Sequence, residues 1–93
     1  MTMHTMREMT HVIVMEYEFE LLDAKGRIQH GVVEADATHT SAAWASLVKS
    51  IRRPETGWLI RVRRIGNQAV RTRCFLVRRA KDGALSLTRV TNA

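Results

Sequence analysis

The sequence predicts an α+β fold, an antiparallel sheet of four to five strands with one helix packed on one face, in the order β-β-α-β-β-β. Three observations carry that expectation. Apolar and charged residues alternate with period two through residues 11–22, the pattern of a half-buried strand. A single amphipathic stretch follows a cluster of N-cap residues at Thr38–Ser41. Turn residues punctuate the remainder at Asp23–Gly26, Gly66–Gln68 and Asp82–Gly83.

Taken in order, residues 1–10 read as a frayed leader rich in Met and His, and residues 11–93 as one α+β domain. The leader lacks the apolar run and small-residue cleavage site of a signal peptide. In the first strand Ile13, Met15, Tyr17, Phe19 and Leu21 share one parity, and Glu16, Glu18 and Glu20 the other. Arg27–Ala35 returns as the second strand, with Gly31 as a bulge candidate. The helix is expected to bury the stripe Ala43, Trp44, Leu47, Val48 and Ile51 and to be stopped by Pro54. Residues 58–65, 69–80 and 85–90 supply the last three strands, the final two joined by a two-residue turn at Asp82-Gly83.

Composition narrows the functional classes. Hydrophobic residues at 45% and charged residues at 26% describe a globular chain rather than a disordered one. The single cysteine, Cys74, permits neither an intrachain disulfide nor a cysteine-based zinc cluster, and a reducing, cytoplasmic setting fits it. No apolar run approaches the roughly 20 residues that span a bilayer, so no membrane partner is expected. Charge is unevenly placed. Residues 1–50 hold four basic and seven acidic side chains, whereas residues 51–93 hold eleven basic, ten of them arginine, and two acidic.

Where those arginines point depends on the Gly66 loop. A two-residue loop mixes arginine and apolar side chains on both sheet faces. A three-residue loop sends Trp58, Ile60, Val62, Val70, Cys74 and Leu76 toward the helix and Leu59, Arg61, Arg63, Arg71, Arg73 and Phe75 away from it. The second arrangement is preferred because it segregates the two kinds of residue. It sets Arg61 against Arg73 and Arg63 against Arg71, and opposed like charges invite an anion.

The expected binding surface is therefore Arg61, Arg63, Arg71 and Arg73, with Phe75 as a base-stacking platform and Arg78 and Arg79 at its margin. Its bland counterpart is a cross-strand ladder in which Glu16, Glu18 and Glu20 neutralise the arginines. Beside it an apolar patch of Leu59, Phe75, Val77 and Val90 offers a protein-docking or homodimer surface. The histidines show no metal-ligand spacing, and no nucleophile–base pair or glycine-rich phosphate loop is evident. No catalytic residue, metal or cofactor is expected, and Trp44, Trp58 and Cys74 read as core.

Tyr17-x-Phe19, Asp23-x-x-Gly26, Gly31, Glu34-Ala35, Ala43 and Leu47 resemble the hairpin-plus-helix that opens the inner-membrane platform proteins of type II secretion and type IV pili. That resemblance implies shared local structure over residues 17–47. In size and layout the chain is similar to small phage or mobile-element proteins that inhibit host machinery, anti-CRISPR proteins among them, which implies a protein–protein inhibitor. The leading expectation is a non-enzymatic regulatory protein whose arginine-rich sheet face engages nucleic acid or a nucleoprotein; an acidic protein surface is the alternative partner.

Overall fold

The computed structural model describes residues 14–66 and 71–91. The expected leader at 1–10 lies outside them, as do His11, Ile13 and Val70. Five strands form one antiparallel sheet: β1 (Met15–Asp23), β2 (Gly26–Ala35), β3 (Leu59–Arg64), β4 (Arg73–Arg79) and β5 (Leu85–Val90), in the spatial order β2-β1-β3-β4-β5. Among the described residues one helix, α1 (His39–Val48), crosses between β2 and β3 and packs over β1, β2 and β3. The α+β class and the β-β-α-β-β-β order are those the sequence predicts.

The β1 alternation sends Tyr17, Phe19 and Leu21 to the helix side, where each is at most 3% exposed, and the three glutamates to the open side. Facing them across the sheet are Val33 on β2, Ile60 and Val62 on β3, and Phe75 and Val77 on β4. The β1–β2 register slips between Leu21 and Leu22, so the bulge falls at Ile28 rather than at the expected Gly31. Gly31 pairs with Phe19, whose ring lies over it; a Cβ there would stand 3.1 Å from Phe19 Cε2.

Helix α1 starts where Thr38, in extended backbone, accepts the Ser41 N–H on its Oγ1 at 3.1 Å. The face it buries is Ala42, Ala43, Ser46 and Leu47, one step around from the expected stripe. Small side chains at three of these positions let the helix sit close on the Tyr17 and Phe19 rings. Ser46 tolerates complete burial because its hydroxyl donates to the Ala42 carbonyl at 2.8 Å. Trp44, Val48 and Ile51 are consequently exposed by 39%, 86% and 83%, and Trp44 is not the core residue expected. The helix also ends well before Pro54. Gln29 holds its C-terminus from β2, donating to the Lys49 carbonyl and accepting the Ile51 N–H, both at 2.9 Å. The expected Trp58 burial holds, at 3% exposed, with the Arg52 guanidinium 5.6 Å from its ring centre.

Two loop parities differ from expectation, and both move functional candidates. Across β3 and β4 the partners are Leu59 with Leu76, Ile60 with Phe75, Arg61 with Cys74 and Val62 with Arg73. This is the mixed-face arrangement that segregation had disfavoured. Apolar burial decides it: sinking Phe75 and Val77 into the core is favourable by about 1.5–3 kcal/mol each. The observed register also avoids setting Arg61 against Arg73, an opposition of like charges that costs about 0.2–1 kcal/mol. In the last hairpin, Ala80 and Ala84 close a three-residue loop through Ala80 N–H to Ala84 O at 2.8 Å, with Gly83 at φ 92° and Asp82 accepting the Ala84 N–H. The expected two-residue turn would have paired Phe75 with Val90; instead Phe75 pairs with Arg89, and Val90 with Cys74.

Candidate functional site

The arginines divide between the two faces of the sheet. On the open face, β1 lies directly beside β3, so Glu18 stands opposite Arg63 and Glu20 opposite Arg61. Arg63 pairs with Glu18. Arg61 reaches Glu20 at 3.5 Å, and Arg27 from β2 reaches the same carboxylate at 2.9 Å. These are exposed pairs worth about 0–1 kcal/mol each, yet they set a carboxylate against both Arg61 and Arg63, the charges that were to meet an anion. A hollow of about 340 Å³ on this face is bordered by the same residues, Glu18, Glu20, Arg61 and Arg63 among them. Arg61 and Arg63 are thus members of the acid–base ladder, and a common anion-binding face containing Arg61, Arg63, Arg71, Arg73 and Phe75 is not formed.

The remaining candidates scatter. Phe75 is 4% exposed and Val77 fully buried, so neither stacks on a base nor joins a surface patch. Leu59 and Val90 are half-buried on the open face, near the partly exposed Leu76. Cys74 is buried as expected, but on the open face between Arg61 and Val90. Arg79 is committed to main-chain carbonyls: Nε and Nη2 donate to Pro54 O at 3.0 and 2.6 Å, and Nη1 to Gly83 O at 2.9 Å. Arg78 is exposed on the open-face parity of β4, and Arg71 is exposed just before that strand.

A different cluster forms on the helix side. Strand parity places Arg64, Arg73 and Arg89 there, on β3, β4 and β5. Arg64 pairs with Tyr17, Arg73 with Val62, and Arg89 with Phe75. Each arginine is therefore a diagonal neighbour of the next, at about 7–8 Å, in a line crossing three strands. Arg64 and Arg73 are half-buried, and among the described residues no carboxylate lies within ion-pair distance of any of the three. Close to the line sits His39, the first residue of α1, its ring edge-on to Tyr17 with centroids 5.4 Å apart. Tyr17 itself is anchored by its hydroxyl, which donates to the Asp36 carbonyl at 3.1 Å.

His39 is held below the usual histidine pKa, first by burial and then by the positive charges of Arg73, Arg64 and Arg89. Its Nε2 is buried and has no hydrogen-bond partner. In the sequence His39 stands out only as one of the histidines without metal-ligand spacing. The signal was helical spacing: residue 39 shares the stripe of 42, 43, 46 and 47, the face that α1 buries. Among the described residues no group of three or more His, Cys, Asp or Glu is placed to hold a metal ion, and no helix is long and apolar enough to cross a membrane.

The class these features define is a small α+β domain, among the described residues one helix on a five-stranded antiparallel sheet, with a cationic line beside the helix start. Comparison with protein-family models, curated proteins and solved structures finds no match to the chain.

Proposed function

We propose that the protein is a non-enzymatic binding protein that engages the phosphate backbone of a nucleic acid, alone or within a nucleoprotein, through Arg64, Arg73 and Arg89. The observation that carries this reading is the contrast between the two faces. Arg61 and Arg63 have glutamates opposite them, whereas the line Arg64–Arg73–Arg89 has no carboxylate partner among the described residues and lies on the sheet face that the helix covers. Three like charges in a row raise one another's energy, and an anionic chain laid along them relieves that repulsion while releasing its own counterions. The positive end of α1 adds to the same field. The guanidinium fork suits phosphate oxygens, and the chain's net charge of +6 favours encounter with a polyanion.

Binding of a short oligothymidylate followed by fluorescence anisotropy tests the reading. With three phosphate contacts on a single strand, log K falls linearly against log salt with a slope of roughly −2. Absence of binding at low salt removes the proposal.

A second reading, a protein-interaction module or homodimer, is favoured by one observation: Trp44, Val48 and Ile51 project from the outer flank of α1 and the turn after it. It replaces the divided Leu59/Phe75/Val77/Val90 patch as the docking surface. Sedimentation at two concentrations, repeated with Val48→Glu, tests the homodimer form.

A further inference from the structure

We infer that β5 is a docking edge for a second copy of this chain, the two β5 strands pairing antiparallel about a two-fold axis at Leu87 and so joining their sheets. This joint does not depend on the arginine line. Main-chain geometry supplies its basis. The sheet has two edge strands, β2 and β5. In the β4–β5 hairpin the Gly83 N–H donates to Ala80 O and the Ala80 N–H to Ala84 O, a bonded closure of the loop. Antiparallel strands alternate bonded and non-bonded pairs, so Arg78–Ser86, Leu76–Thr88 and Cys74–Val90 are the bonded ones. Val77 agrees: its N–H donates to Trp58 O and its carbonyl accepts the Gly57 N–H, both at 2.9 Å, so it faces away from Leu87. The N–H and C=O groups of Leu85, Leu87 and Arg89 therefore point off the sheet, and among the described residues nothing bonds to them.

The two edges are built differently. β2 carries the register slip at Ile28 and the Lys49 ammonium on its Val32 carbonyl at 3.3 Å, features that discourage a further strand. β5, Leu85-Ser-Leu-Thr-Arg-Val, pairs with β4 without a slip, contains no proline or lysine and has one charge, Arg89. Such an edge is a template for another strand. Its own sequence fits a second copy. With Leu87 opposite the partner's Leu87, Leu85 meets the partner's Arg89 and Ser86 meets the partner's Thr88. All three residues with outward main-chain groups then fall in bonded pairs. Like charges stay apart: Arg89 and the partner's Arg89 are separated by four residues along the strands, about 13 Å, beyond the Debye length of about 8 Å at physiological salt. Leu85 and Leu87 are half-buried on the helix side, beside the strands that α1 packs over, and they bring apolar area to the joint.

Sedimentation equilibrium from micromolar to millimolar concentration tests the inference, because one strand pair makes a joint at the small end of stable interfaces. The weight-average mass of the unaltered protein rises with concentration toward twice that of the chain. Ser86 and Thr88, exposed on the open face, oppose one another across the joint. Ser86→Lys combined with Thr88→Lys sets ammonium against ammonium twice and raises the dissociation constant about tenfold. Ser86→Glu combined with Thr88→Lys sets unlike charges together and keeps the dimer. Circular dichroism checks that each variant is folded. Amide exchange followed by NMR needs no variant: the Leu85, Leu87 and Arg89 N–H groups exchange more slowly as concentration rises, while those of Ser86 and Thr88, bonded within the chain, are slow throughout. A protein that stays monomeric at millimolar concentration overturns the inference. So does a dimer equally tight in both charge variants with the three edge amides unprotected, or a dimer lost in Val48→Glu, which is joined through the flank of α1 instead.

Discussion

Replacing Phe75 by alanine tests the register from which the site follows. Phe75 is 4% exposed, packed on the helix side between Ile60 on β3 and Arg89 on β5 and within one core with Val77 and Trp58. Truncating a buried phenylalanine removes its transfer free energy and leaves a cavity, together about 3–5 kcal/mol. A domain of this size has about 5–15 kcal/mol in total, so Phe75→Ala leaves it marginal. At about 4–8 °C per kcal/mol, the melting temperature falls by about 12 °C or more. Leu76, the next residue, faces the open side and is 36% exposed, so Leu76→Ala costs about 1 kcal/mol. Urea denaturation followed by circular dichroism gives both values, with an unchanged slope showing that the two-state comparison holds. The large and small effects exchange places if the β3–β4 loop has the other parity. A Leu76→Ala loss exceeding that of Phe75→Ala would refute the register and, with it, the placement of Arg73 beside His39.

Three further outcomes follow from the packing. Gly31→Ala is destabilising by about 1 kcal/mol in the same denaturation assay, because the added Cβ stands 3.1 Å from a Phe19 ring that is 3% exposed and must shift by a few tenths of an ångström. Val48→Glu and Ile51→Glu each alter stability by no more than about 0.5 kcal/mol, since both side chains stand over 80% exposed; a larger loss would show that the outer flank of the helix is packed. Acid lowers stability through His39: its folded pKa lies below the 6.5 of the unfolded chain, so the unfolded state binds the proton first. That contribution is present above pH 6.5 and lost as pH falls toward the folded pKa, and His39→Gln flattens this part of the stability–pH curve.

Much of this fold is legible in the sequence because β1 and the helix cap speak plainly. The Tyr17-Phe19-Leu21 alternation settles which way Glu16, Glu18 and Glu20 point, and the Thr38 cap marks the helix start. The site is less legible, for a physical reason: in β3 and β4 nearly every second residue is arginine, so both parities contain apolar and charged side chains. One residue more or less in the Gly66 and Gly83 loops then exchanges the faces, and loop length is not carried by the strand pattern. Strand order is equally silent, and only the adjacency of β1 and β3 reveals which arginines have glutamate partners. The helix misleads differently. Trp44, Val48 and Ile51 form the more hydrophobic stripe, but Ala42, Ala43 and Ser46 allow the closer approach to two aromatic rings, and close packing prevails.

In the proposed binding mode position, and not net charge, decides which arginines meet an anion. Arg73→Gln and Arg61→Gln remove the same single charge, one from the helix-side line and one from the glutamate ladder. Salt-dependent binding of a short oligothymidylate to the two variants tests the claim most directly. Arg73→Gln is predicted to weaken binding and to reduce the magnitude of the log K–log salt slope by about one, while Arg61→Gln keeps the slope of the unaltered protein. Equal losses in the two variants, or a greater loss for Arg61→Gln, would contradict it.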